Sequence, residues 1–252
     1  MLTVLLLISV PLIAQNATGG HFEILNLVMI LAAMLLAGRY LERLDDRSLI
    51  LLCYAGILLA QTRYESVLFV FPIGIVVLLG WHRKGAPILP WPVVLAPVLL
   101  IAYTPHFRFV ASKEAFWQLS DFDHAAAFSL QYVIENYGHA LHYLFFLGQN
   151  LSNSFLLSVT GCAALVFFGT TSVKHLGRWY RDDLARFVLA MFSVAVLASF
   201  ALILCYHWGQ LNDLVASRFA MPLLLIFALA TAAVVPTHSK PYLLVSLAVG
   251  AL

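Results

Sequence analysis

Long apolar runs broken by short polar clusters organise this chain. Apolar stretches lie near residues 1–15, 24–41, 49–62, 66–81, 88–103, 151–171, 187–207 and 219–236, and a last one begins at 241. A helix crosses the hydrocarbon core of a bilayer with about 20 mainly apolar residues. In lipid such a segment satisfies its own backbone groups, which favours helix throughout. The pattern therefore predicts an all-α, polytopic membrane protein of eight to nine transmembrane helices, in one transmembrane domain over residues 1–252. The run at 49–62 is short for a full crossing and predicts a tilted, locally thinned or re-entrant segment. The first run, MLTVLLLISVPLIAQ, lacks the basic residues that open a signal peptide, and reads as a membrane helix.

Residues 104–150 behave differently. Aromatic and polar residues alternate there too often for a spanning helix. Within them AAAFSLQYVIENYGHALHYLFF spaces its apolar residues helically and suits an amphipathic helix lying in the membrane interface. Trp117, Tyr132, Tyr137 and Tyr143 belong in the headgroup zone, where amphipathic rings settle.

Composition removes the soluble alternative. Hydrophobic residues make up 62% of the 252 positions and charged ones 10%, against about 25% in a soluble domain. Mean hydropathy is +0.93. Cys53, Cys162 and Cys205 all lie within apolar runs, where a free cysteine packs as a small hydrophobe. No disulfide framework or zinc site is expected, and no nucleic-acid partner.

Charge adds a direction. If the helices alternate, one side carries the connections 39–48, 82–86, 172–186 and 237–240, with 10 of the 14 Lys and Arg residues. The other side holds Arg63, Arg108, Lys113 and Arg218. Cytoplasmic loops are enriched in Lys and Arg, so the basic side is expected to be cytoplasmic, as in a bacterial inner membrane. TRYE (residues 62–65) then faces outward, with the loops at 16–23, 104–150 and 208–218.

The candidate chemistry sits on that outward side. Ionisable groups at membrane depth are costly and mark sites. Arg63 and Glu65 form either an interfacial ion pair or part of a pocket in which Arg63 receives an anionic headgroup, since guanidinium grips phosphate with two hydrogen bonds. Arg218, preceded by Asn212 and Asp213, opens a helix at Phe219 and is either a flanking anchor or a second phosphate ligand. In NATGGHFE, Gly19 and Gly20 break the helix, and Glu23 suits either a helix N-terminus or a substrate contact. Asp121, Asp123 and His124 of DFDH are weak candidates for a divalent cation and otherwise cap a solvated loop. His139 and His142 share a helix face but lack further ligands for zinc.

In order of elements the chain resembles the integral-membrane glycosyltransferases of the GT-C superfamily, near the bacterial protein mannosyltransferases and aminoarabinose transferases. The resemblance covers roughly residues 8 to 235 and rests on ATGGHFE, LAGRYLERL, a short helix ending in TRYE, a basic turn, and the late SRFAMP helix start. It implies transfer of a sugar from a polyprenyl-phosphate donor to an envelope lipid, polysaccharide or protein outside the membrane. It also implies donor-phosphate binding by Arg63 and Arg218, with Tyr64, Glu65, Glu23 and Asp213 as pocket candidates. In that family the catalytic carboxylate follows the first membrane helix. This chain is expected to start downstream of it, as a piece of a larger fold, so no base is assigned; the reading leans to an enzyme and leaves open whether the chain alone is active. The competing expectations are a flippase for a lipid-linked sugar and a non-catalytic partner in polysaccharide assembly.

Overall fold

The computed structural model describes residues 2–19, 22–104, 108, 128–148 and 150–235. Among these there is no β-strand, only one isolated bridge between Phe128 and Tyr206. The helices are α1 (Leu2–Ile8), α2 (Pro11–Gly19), α3 (Phe22–Arg43), α4 (Asp46–Thr62), α5 (Val70–Lys84), α6 (Trp91–Leu95), α7 (Val133–Phe145), α8 (Phe155–Asp182), α9 (Leu184–Leu204) and α10 (Met221–Val234). Short 3₁₀ turns, Tyr64–Phe69 and Ala216–Ala220, lead directly into α5 and α10.

Five segments among the described residues are long and apolar enough to cross a membrane: Phe22–Arg43, Tyr64–Lys84, Phe155–Asp182, Leu184–Leu204 and Ala216–Val234. The chain is an integral membrane protein, and its described residues hold fewer full-length spans than the eight to nine read from the apolar runs of the whole sequence. Proline and helix length explain the difference. The run at 1–15 is broken before Pro11, which has no N–H to continue α1 and instead starts α2. The run at 88–103 contains Pro90, Pro92 and Pro97, and forms the five-residue α6 followed by a 3₁₀ stretch, Ala96–Tyr103. The run at 49–62 extends to a helix of 17 residues, about 25 Å long. The run from 241 lies outside the described residues.

The core gathers on α10, whose residues Met221 to Ala228 are all buried. A helix apolar all round belongs inside a bundle, and α3, α8 and α9 enclose this one. Close approach depends on small residues. A Cβ on Gly161 would strike Phe227 across the α8–α10 contact, and one on Gly80 would strike the Tyr40 ring.

The helix ends fall into two groups. At one end Arg83 donates to the Leu41 carbonyl at 3.1 Å and to the Tyr180 carbonyl, and lies 4.0 Å above the Tyr180 ring. Lys84 reaches Asp46 at 3.2 Å. The α3–α4 turn there passes through Leu44 at φ 54° and Asp45, whose carboxylate accepts from Ser48 N at 2.6 Å and caps α4. That backbone hydrogen bond, helped by Arg43 and Arg39, holds the Asp45 carboxyl below its usual range. Helix α8 has 28 residues, about 42 Å, so its final turns with Lys174, Arg178 and Arg181 extend past a hydrocarbon core of about 30 Å.

At the opposite end α7 docks across the bundle. Asn136, which is buried, donates to the carbonyls of Leu204 and Tyr206 at 2.9 and 2.7 Å and so closes the end of α9. Its Tyr143 is fully buried, donates to the Ser152 carbonyl at 3.2 Å, and is pushed above the usual phenol range by that burial. The helix presents three faces at 3.6-residue spacing. Asn136, Ala140 and Tyr143 face protein; Glu135, His139 and His142 form a polar stripe; Ile134, Tyr137 and Leu141 form an exposed apolar one.

Candidate functional site: a four-charge cluster at one end of the bundle

Three separate elements carry charge to one point. Glu23 lies in the first turn of α3, where a carboxylate complements the helix dipole. Arg63 interrupts α4 in an extended conformation (φ −154°, ψ 155°) and turns the chain into the 3₁₀ segment holding Glu65. Arg218 rides on the 3₁₀ turn ahead of α10. The Arg63 Nη1 donates to Glu23 Oε1 at 2.7 Å, and its Nε to Glu65 Oε1. Arg218 Nε lies 3.2 Å from the same Glu23 oxygen, yet it is not aligned to donate a hydrogen bond to it. The side chain of Glu23 is 7% exposed and that of Arg63 is 16% exposed, so this pair is largely out of water.

Neighbouring polar groups lock the geometry. One turn after Glu23, the buried Asn26 accepts hydrogen bonds from the hydroxyls of Thr62 and Ser66, both at 2.8 Å. These bonds tie α3 to both sides of Arg63. The Phe219 ring lies 4.5 Å below the Arg63 guanidinium and 5.8 Å from that of Arg218, a cation–π arrangement that favours both charges. Tyr206 packs against Phe219 at 6.4 Å. Its hydroxyl is pushed above the usual phenol range by burial, then by Tyr64 and Glu65, with Arg63 opposing.

The two arginines do not have equal duties. Arg63 spends its Nε and one Nη on two carboxylates, while the Arg218 guanidinium makes no hydrogen bond among the described residues. Among the described residues Arg218 is held by its ion pair with Glu23 and its contact with Phe219, which leaves more of its planar fork than of Arg63's to meet an anion. Two cations and two carboxylates balance formally, so an incoming anion meets no net charge until it displaces a carboxylate from Arg218 or Arg63. Beside Arg63 an apolar groove of about 610 Å³ runs between α3 and α4, walled by Phe22, Leu25, Met29 and Leu58 and closed by Arg63 and Tyr64.

The remaining sequence candidates fall in different places. Tyr64 is 64% exposed at the groove mouth. The Asp213 carboxylate accepts from Val215 N and Ala216 N at 2.8 and 3.0 Å, which caps the turn carrying Arg218, so its contacts position that arginine. His139 Nε2 stands 3.7 Å from Glu135 on the polar face of α7, and His142 packs on Phe146. Gly20, Asp121, Asp123, His124, Lys113 and Trp117 lie outside the described residues. Among the described residues no cluster of three metal-ligating side chains occurs. Asn26, Phe219 and Tyr206 were not marked by the sequence. Asn26 had a usable signal, a lone amide in the apolar run FEILNLVMIL, whereas nothing distinguishes Phe219 among 18 phenylalanines.

Comparison with protein-family models, with curated proteins and with solved structures finds no match to this chain.

Proposed function

We propose that this protein handles a polyprenyl-phosphate-linked sugar, as a glycosyltransferase of GT-C type that acts at the end of the bundle carrying Arg63 and Arg218. The observation that carries the reading is the convergence of Arg63 and Arg218 on Glu23, with Arg63 at the head of a lipid-sized apolar groove. A polyprenyl chain suits the groove walls, and a phosphate at its head meets the guanidinium of Arg63, with Arg218 paired to the same Glu23 oxygen. In transfer, an acceptor hydroxyl attacks the anomeric carbon, the bond from that carbon to the phosphate oxygen breaks, and the lipid phosphate leaves with the electron pair. Arg218, with Arg63 behind it, offsets the negative charge that grows on the leaving phosphate. Glu23 and Glu65 hold the arginines in place. The hydroxyl's proton passes to a general base, the role a carboxylate fills in this class of reaction.

The wider frame belongs to the same proposal. The membrane is a bacterial inner membrane, the end with Arg83, Lys84 and Arg186 is cytoplasmic, and the four-charge cluster faces outward. Helix α4 and the proline-broken 88–103 segment are membrane-embedded in addition to the five spans, towards a total of eight or nine. Helix α7 lies in the outer interface with Ile134, Tyr137 and Leu141 turned to lipid. A membrane-impermeant thiol probe applied from outside is expected to label Asp213→Cys and to spare Arg178→Cys. Labelling of position 178 reverses the orientation.

The activity is tested with purified protein and a donor labelled in the sugar. Release of polyprenyl phosphate with transfer or hydrolysis of the sugar is expected. Movement of intact donor across a liposome without cleavage replaces the enzyme with a flippase, and neither outcome leaves the non-catalytic partner.

A further inference from the structure

At the end opposite the four-charge cluster, a second groove of about 740 Å³ opens between α3, α9 and α10. Its floor is apolar, from Met34 and Leu35 of α3, Leu189 of α9 and Leu229 of α10. Its rim carries Arg39, Arg43 and Arg186 against Glu42 and Asp183, a net positive rim. Asp183 is already engaged: it accepts from Arg186 N at 3.1 Å and forms an ion pair with Arg186 Nε at 3.5 Å. Among the described residues the ion pairs at this end are Lys84–Asp46 and Arg186–Asp183, and neither Arg39 nor Arg43 takes part in them. Those two arginines are four apart on one helix face, an arrangement that like charges make unfavourable when nothing lies between them.

We propose that this groove is a binding site for an anionic glycerophospholipid, its acyl chain on the apolar floor and its phosphate between Arg39 and Arg43. A free anion would use the rim and leave the apolar floor empty, whereas a zwitterionic lipid would bring its own cation against the arginines. The volume lies within the 300–1,000 Å³ typical of ligand pockets, and basic pockets between membrane helices suit acidic headgroups. Gly38 supplies the means of testing it. It lines the same groove, and a Cβ there would meet nothing within 4 Å. A larger side chain at Gly38 therefore fills the groove without disturbing the helix packing. The site is remote from Arg63 and Arg218 and does not depend on the sugar-transfer reading.

Native mass spectrometry of the detergent-purified full chain, titrated with phosphatidylglycerol or phosphatidylcholine, decides the matter. Phosphatidylglycerol is expected to be retained about 25-fold more tightly than phosphatidylcholine. Each arginine near a lipid surface contributes about a fivefold factor, so Arg39→Ala with Arg43→Ala is expected to weaken phosphatidylglycerol about 25-fold and bring it to the level of phosphatidylcholine. Gly38→Leu is expected to abolish retention while the melting temperature holds or rises. Equal retention of the two lipids overturns the proposal. So does undiminished binding to a folded Gly38→Leu protein, which would mean that the lipid binds outside this groove. Displacement of phosphatidylglycerol by millimolar inorganic phosphate also overturns it, because the site would then be one for free anions.

Discussion

Arg63→Ala is expected to lower the stability of the folded protein by about 3 kcal/mol, the low end of what breaking a buried ion pair costs. The reason is what the change leaves behind. Glu23, at 7% side-chain exposure, loses its 2.7 Å partner, and Glu65 loses its own. Arg218 remains 3.2 Å from Glu23, which keeps the figure from the upper end of that range. The cation–π contact with Phe219 goes as well. A buried pair of this kind does not make a protein stable by itself, because desolvation offsets the attraction; its removal by halves is what hurts. A double-mutant cycle isolates the pair. Glu23→Ala combined with Arg63→Ala is expected to cost at least about 1 kcal/mol less than the sum of the single changes. Urea or thermal titration in detergent supplies the numbers, and an additive cycle with a loss below about 0.5 kcal/mol removes the ion pair from the account.

Arg218→Ala is expected to behave in the opposite way. Its guanidinium makes no hydrogen bond among the described residues and the side chain is 28% exposed. The melting temperature is therefore expected to change little. Turnover of a polyprenyl-phosphate sugar is expected to fall about 10²- to 10³-fold, the usual consequence of losing one group that stabilises transition-state charge. Arg218→Lys is expected to recover only part of that, because an ammonium keeps the charge and loses the planar fork. Steady-state release of polyprenyl phosphate by the three proteins provides the comparison. Unchanged turnover in Arg218→Ala takes this arginine out of the site.

The contrast between the two arginines explains what could be read from the chain alone. Charge in an apolar sequence stands out because burial makes it expensive, and Glu23, Arg63, Glu65 and Arg218 could be marked one by one on that ground. Their meeting could not. Glu23 and Arg63 are joined through the packing of α3 on α4, fixed by Asn26 between Thr62 and Ser66, and that register is a tertiary fact. Asp213 was legible as an acid beside Arg218, but its use as a cap depends on the backbone turn over Val215 and Ala216. The all-helical character followed directly from the apolar runs. The number of full-length spans did not, because hydropathy is blind to Pro11 and to the three prolines at 90, 92 and 97, which remove backbone donors while leaving the run apolar. Reading proline before hydropathy would have split both runs.

The central claim is that the groove at Arg63 and the guanidinium of Arg218 together receive a polyprenyl phosphate. It is tested most directly by melting the purified protein in the presence of polyprenyl phosphate and, separately, of the polyprenol of equal length. A ligand at about 100 times its dissociation constant stabilises the folded state by about 2.7 kcal/mol, an easily measured rise. The account predicts that rise with polyprenyl phosphate, a much smaller one with the alcohol, and none with either lipid for Arg218→Ala. Equal shifts with phosphate and alcohol, or a phosphate-dependent shift that survives in Arg218→Ala, would contradict it.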